Sequence, residues 1–199
     1  PYTFPAEAVN GYMVSGVPLH PIGPHHTYPD SLLTEIMDHV PGYCLWDEFD
    51  RRNEKAVLED IYRHTEIEIA LTTYLLENKP WDFFMAVFMG LDMVQHRFWR
   101  YMDPSHPYFD AKRSEYLGKG IFTCYQMMDR FLGNILEQWG DEVTLLVYSD
   151  HGFGPLWKGF YISNWLMDEG FLVLKNRPSG PREALILHPF TRQIGSLLK

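Results

Sequence analysis
"FFMAVFMGLDMVQHRFW", residues Phe83 to Trp99, changes character at Gly90. The first half is an unbroken apolar run, the pattern of a strand buried on both faces in a parallel sheet covered by helices. The second half is mixed, and it sets Asp92 and His96 four residues apart just where that strand would end. If a helical turn begins at Leu91, this spacing brings both side chains to one face, within reach of a single cation. A second run repeats the plan: in "EVTLLVYSDHGFGP", Glu142 to Pro155, an apolar stretch ends on Asp150 and His151. Neighbours in a strand point to opposite faces, so these two converge only if the chain turns there, which Gly152 permits.

Helical periods surround the two runs. From about Asp50 to Asn78, the residues Val57, Ile61, Ile67, Leu71, Tyr74 and Leu75 recur at helical spacing among charges, and Asn78-Lys79-Pro80 ends the pattern. Between the runs, Tyr108 to Trp139 predicts one long helix with Tyr116, Ile121, Tyr125, Met128, Leu132 and Ile135 on its apolar stripe. A short helix is expected after Asp30 or Ser31 as N-cap, stopped by Pro41-Gly42, and another around Ile162 to Asp168. Residues Pro1 to Tyr28, rich in Pro, Gly and His, read as an extended connecting segment. Toward the end come a strand at Phe171 to Leu174, a linker "KNRPSGPRE" and a final helix. Strand, helix, strand with sharp breaks is the α/β pattern, a mostly parallel sheet flanked by helices. Residues 1–175 read as part of one domain, and 176–199 as linker and C-terminal segment.

Composition narrows the function classes. The chain has 199 residues, 46% of them apolar and 16% aromatic, enough to bury a core. Its net charge of −9 argues against nucleic-acid binding through bulk electrostatics, which needs clustered Lys and Arg. Cys44 and Cys124 lie far apart and read as buried thiols, neither a disulfide framework nor a thiolate metal site. No apolar stretch approaches the roughly 20 residues of a membrane helix. A soluble, cytoplasmic protein is expected. The sequence opens on "PYTFPAEAVNG" without an initiator methionine, and reads as a piece of a longer chain.

In open α/β sheets, ligands gather outside the carboxyl ends of the strands. Here two such ends each deliver one carboxylate and one imidazole. Mixed oxygen and nitrogen donors suit Zn²⁺, Mn²⁺ or Fe better than Mg²⁺ or Ca²⁺. Two pairs suggest two metal ions that clamp the attacking and leaving oxygens of a phosphoryl transfer. Each motif alone has a plainer explanation: D-x-x-x-H as a hydrogen-bonded helix pair, and S-D-H-G as a cap or turn. Their order, each behind an apolar run, favours the metal reading.

"FMGLDMVQHRFWRYMDP", the helix with "MMDRFLGNIL", and "VTLLVYSDHGFGP" followed by "ISNWL" together resemble the alkaline phosphatase superfamily, in its type I phosphodiesterase and nucleotide pyrophosphatase branch. The upstream "NGYMVSGVP" and "TYPDSLLTEI" resemble the same branch's microbial members, so the similarity extends to about Leu174. The resemblance implies an alkaline-phosphatase-like fold and a hydrolase that splits phosphodiesters or nucleotide pyrophosphates through a covalent phospho-enzyme. It also implies two divalent ions, Zn first, with Asp92 and His96 at one and Asp150 and His151 at the other. The family's further Asp and its Thr or Ser nucleophile, from an N-terminal strand and helix, find no match here. Its additional His, after the D-H-G motif, is matched poorly by His188. The nucleophile is therefore expected upstream, and the 199-residue chain alone is expected to be inactive.

Other polar residues read more plainly. Ser15, Thr27 and Ser149 are hydroxyls near motifs, but none opens a helix. His20, His25 and His26 suit a solvated loop, Asp129 and Asn134 helix packing, and Asp103 with His106 a turn around Pro104. Trp99, Tyr101 and Trp157 suit packing, with a substrate-pocket wall as the alternative. Two rival functions remain at this point: a non-catalytic binding or assembly domain on the same fold, or a relative that acts on sulfate, phosphonate or phosphosugar groups.

Overall fold
Asn53 opens the longest helix: its side chain accepts a hydrogen bond from the Ala56 amide at 3.2 Å, satisfying one of the free donors of the first turn. In the computed structural model, which describes residues 10–15, 26–43 and 53–172, this helix is α2, Glu54–Asn78. Before it come two-residue strands β1, Met13–Val14, and β2, Thr27–Tyr28, paired antiparallel with Met13 opposite Tyr28, and then α1, Ser31–His39. After it come α3, Gly90–Met102, then α4, Ala111–Leu117, α5, Gly120–Trp139, and α6, Ile162–Asp168. The chain divides into two compact units, residues 1–155 and 156–199.

In the first unit, α2 serves two clusters along its length. Its first half gives Val57, Leu58 and Ile61 to a core shared with Val94, Phe98 and Tyr101 of α3, Leu117 of α4, and Ile121 and Cys124 of α5. Its second half gives Ile67 and Leu75 to a cluster with Leu32, Ile36 and Val40 around α1. Ile61 and Val94 are both fully buried, and each such side chain contributes roughly 1.5–3 kcal/mol. Polar links reinforce the packing. Glu35 of α1 accepts from Tyr74 Oη at 2.6 Å and from Lys79 Nζ, which ties α1 to the end of α2.

Glycine is called for at Gly90 and Gly118, among other close approaches. A Cβ at Gly90 would stand 2.0 Å from Thr65 Oγ1, so the start of α3 lies directly on α2. A Cβ at Gly118 would stand 2.6 Å from the Ser114 carbonyl oxygen and 2.7 Å from that of Tyr101. The single helix expected over Tyr108 to Trp139 is two helices, α4 and α5, separated by a turn at Gly118 and Lys119. The buried stripe of this stretch also differs from the expected one. It runs through Leu117, Ile121, Cys124, Met127 and Phe131, whereas Tyr116 and Tyr125 are exposed. Both faces of α5 carry large apolar residues, so periodicity alone does not choose between them.

The apolar runs depart from expectation in a second way. Residues 84–89 and 144–149 are not assigned to strands; among the described residues the one backbone hydrogen bond they make is from the Met93 amide to the Met89 carbonyl, at the start of α3, and none pairs either run with another extended segment. A strand exists only through its ladder, which neither run forms here. They approach at one point, where Tyr148 Oη lies 3.9 Å from Met85 Sδ. Phe83, Val87, Leu146 and Val147 are exposed. Among the described residues, β1 and β2 make the only sheet.

In the second unit, α6 matches the expected helix residue for residue. Gly170, at φ 79°, turns the chain back so that the Phe171 and Leu172 amides both bond the Leu166 carbonyl, at 2.8 and 3.1 Å. The strand expected from Phe171 therefore begins as a helix cap. Its last two residues, the linker, the final helix and His188 lie outside the described residues, as do Cys44, His20 and His25.

Candidate active site
α3 is a helix with two working faces. Gly90, Val94, Phe98 and Tyr101 are buried against its neighbours. Asp92 and His96 each stand two residues from a buried position, about 200° around the helix, so they face the other way. Helical spacing thus separates core from site on one short element.

The loop 150–153 meets that outward face. His96 Nε2 lies 3.4 Å from Asp92 Oδ1, and His151 Nε2 lies 3.7 Å from the same oxygen and 3.8 Å from Asp150 Oδ1. Asp92 is the centre of the group and the least exposed, at 29%, while Asp150 is 87% exposed. The four residues singled out from sequence are thus neighbours in space. The bend at 150–151 does not depend on Gly152, since the glycines with positive φ among the described residues are Gly42 and Gly170. It is pinned instead by Ser149, whose hydroxyl donates to the His151 carbonyl at 2.7 Å.

His151 is oriented by its own backbone. Nδ1 lies 3.0 Å from the Gly152 carbonyl oxygen, which only accepts, so the proton sits on Nδ1. In the neutral ring Nε2 then presents a lone pair toward two carboxylate oxygens. A cation placed between these groups would be held by both the ring nitrogen and the carboxylates.

The donor set fits a metal of the kind the chemistry suggests. Two ligands on a tetrahedral ion with bonds of about 2.0–2.1 Å stand about 3.3–3.4 Å apart. The separation of His96 and Asp92 matches this, and the His151 contacts are somewhat wider. The fit is one of pairs: among the described residues no group of three or more His, Cys, Asp or Glu is arranged around a common point. The cluster also lies at an open surface. A groove of about 320 Å³ runs between α2 and α5, lined by Thr73, Leu76, Phe131 and Trp139, and it contains none of the four residues.

The remaining candidates fall into structural roles. Tyr101 is core, with its hydroxyl on Glu54. Thr27 is buried and donates to the Pro29 carbonyl at 3.0 Å. Asp103 accepts from the Ser105 amide and hydroxyl at 2.9 and 2.7 Å, which makes the expected turn. His26 is buried rather than solvated. Asp129 and Asn134 are exposed on α5. Trp157 belongs to the second unit. One residue escapes the sequence reading: Phe153, whose ring lies against His96 and Trp99. The signal for it is Asp92, His96 and Trp99 at i, i+4 and i+7, a stripe that needs a partner.

The match of a family model puts the chain in a class of proteins that hydrolyse phosphoesters, consistent with the alkaline phosphatase superfamily. In particular, it belongs to the type I phosphodiesterase / nucleotide pyrophosphatase family, whose model matches residues 7–193. The family implies an alkaline-phosphatase-like α/β fold and generally uses divalent metals. No curated protein and no solved structure matches the chain. Among the described residues, no helix is long and apolar enough to cross a membrane.

Proposed function
We propose that this protein hydrolyses phosphodiesters or nucleotide pyrophosphates with two divalent ions, Asp92 and His96 serving one and Asp150 and His151 the other. The observation that supports it is the placement of His96 Nε2 and His151 Nε2 at 3.4 and 3.7 Å from the one oxygen Asp92 Oδ1, with Asp150 beside His151, a spacing that a cation would bridge. When bound, such ions, Zn²⁺ first and Mn²⁺ or Fe as alternatives, polarise a phosphoryl oxygen and stabilise charge on the transferred group. Asp92 sets the spacing of the two histidines. The Gly152 carbonyl holds the His151 tautomer, and Ser149 holds the bend that aims it. The Ser149 hydroxyl is engaged with the His151 carbonyl, so the Thr or Ser nucleophile of this reading is another residue. In the same reading residues 84–89 and 144–149 are strands of the family's parallel sheet. The exposed Phe83, Met85, Val87 and Leu146 support this as surface that such a sheet would bury.

The test is turnover of a bis-aryl phosphate by a protein that carries the Thr or Ser nucleophile segment of this reading upstream of these 199 residues, with and without added Zn²⁺ or Mn²⁺ and with a chelator. Metal-dependent hydrolysis that falls at least about 100-fold in Asp92→Asn is expected, since both metal-assisted charge stabilisation and positioning are removed. Hydrolysis that is indifferent to both chelator and Asp92→Asn overturns the proposal.

A further inference from the structure
Between Thr144 and Pro155 every residue is exposed except Phe153. Its ring holds this stretch to α3, alongside the approach of His151 to Asp92 and the contact of Tyr148 with Met85. It stands edge-on to His96, with centroids 4.7 Å apart and planes at 79°, and it stacks along Trp99 at 6.1 Å and 18°. It also lies 5.7 Å from the His151 ring, tilted by 53°. One ring therefore touches an imidazole from each Asp-His pair. Both imidazoles are more than half exposed, at 60% and 53%, and an exposed ring left to solvent samples several rotamers. Trp99 in turn packs on the core cluster of α2, α3 and α5, so the chain of contacts runs from the core through Trp99 and Phe153 to both histidines.

We propose that Phe153 is a positioning residue, which fixes the planes of the His96 and His151 rings so that both Nε2 atoms stay turned toward Asp92. Edge-to-face and offset-stacked aromatic pairs have preferred angles, which an aliphatic side chain of similar volume does not impose. A ligand held within about 0.5 Å of its working place by such a neighbour needs little further ordering when it is used. The benefit to the reaction rests on the two-metal reading above, whereas the ring contacts stand without it.

Four proteins decide the matter: the parent, Phe153→Leu, Phe153→Tyr and Asp92→Asn. In the metal-free state, proton NMR of the imidazole side chains reads the ring current of Phe153 on His96. The shifted His96 signals should return toward exposed-histidine values in Phe153→Leu and stay in place in Phe153→Tyr. Calorimetry with Zn²⁺ should show affinity roughly 10–100-fold lower in Phe153→Leu and restored to near the parent's in Phe153→Tyr, the scale typical of a lost orienting neighbour. Phe153→Met serves the same arm should the leucine variant fold poorly. Unmoved His96 signals in the ringless variants overturn the proposal. So does Zn²⁺ affinity lost in Asp92→Asn but unchanged in Phe153→Leu, which leaves the metal reading intact. Zn²⁺ binding indifferent to Asp92→Asn sinks the metal reading instead, and the NMR arm then decides the ring contact by itself.

Discussion
Tyr101 donates its hydroxyl to Glu54 Oε2 at 2.6 Å, joining the last turn of α3 to the first turn of α2. Arg113 Nη1 reaches the same oxygen at 2.7 Å, and Arg100 reaches Oε1. Burial alone would raise the Glu54 carboxyl, but the hydrogen bonds from Tyr101 and Arg100 and the charges of Arg100 and Arg113 outweigh it, leaving it below its ordinary 4.5. A carboxyl lowered on folding stabilises the fold fully above its unfolded value, and that stability is lost as pH falls through the folded value. Urea midpoints should therefore drop below about pH 4.5. Glu54→Gln should lower stability at pH 7 by roughly 1–3 kcal/mol and make the acid limb shallower. Some slope should persist, because Glu35 is also lowered, by Lys79 and Tyr74. An acid limb identical to the parent's would refute the assignment.

Gly90→Ala should destabilise the protein by about 1–3 kcal/mol, the usual cost of overpacking. The new Cβ would meet Thr65 Oγ1, itself buried and donating to the Ile61 carbonyl at 2.8 Å. In a Thr65→Ala background the same change should cost less, since the crowding oxygen is gone. Equilibrium unfolding of the two singles and the double measures that coupling.

Asp92 and Asp150 should not be equivalent toward a metal. Asp92 lies beside both histidines and is mostly covered, whereas the one histidine contact of Asp150 is with its own neighbour and its carboxylate is largely exposed. Zn²⁺ calorimetry should show a loss beyond the roughly 10–100-fold of an outer-shell partner for Asp92→Asn, and a smaller loss for Asp150→Asn. The reverse order would mean that the centre of the site is misjudged.

Cys124 should resist labelling until the protein unfolds. It is fully buried, and desolvation pushes its thiol up to about 12, so the reactive thiolate is scarce at neutral pH. In a Cys44→Ser protein, the rate of reaction with a disulfide reagent should rise across the urea transition and be negligible before it. Fast labelling of the native state would place Cys124 outside the core.

The helices were legible where punctuation and period agree: α1 between Asp30 and Pro41, α2 up to Lys79-Pro80, and α6 throughout. The break between α4 and α5 was not, because the apolar period runs on through the turn at Gly118 and Lys119 without a proline or a capping side chain to mark it. The runs before Asp92 and Asp150 were readable as apolar and extended, but pairing belongs to neighbours rather than to the run itself. At the site, the kinds of residue were readable and their distances were not. Phe153 was passed over because an apolar residue behind a glycine looks like filler until the stripe of Asp92, His96 and Trp99 is seen to lack a cover.

The two faces of α3 have an evolutionary consequence. Point substitutions on either face can be accepted one at a time, each judged by its own surroundings. An inserted or deleted residue between Asp92 and Val94 cannot, because it turns everything beyond it by about 100°. Val94, Phe98 and Tyr101 would leave the core in the same event that carries His96 and Trp99 away from Asp92. Descent should therefore preserve the length of this segment more strictly than its letters, and distant kin of this protein are better sought by spacing than by identity.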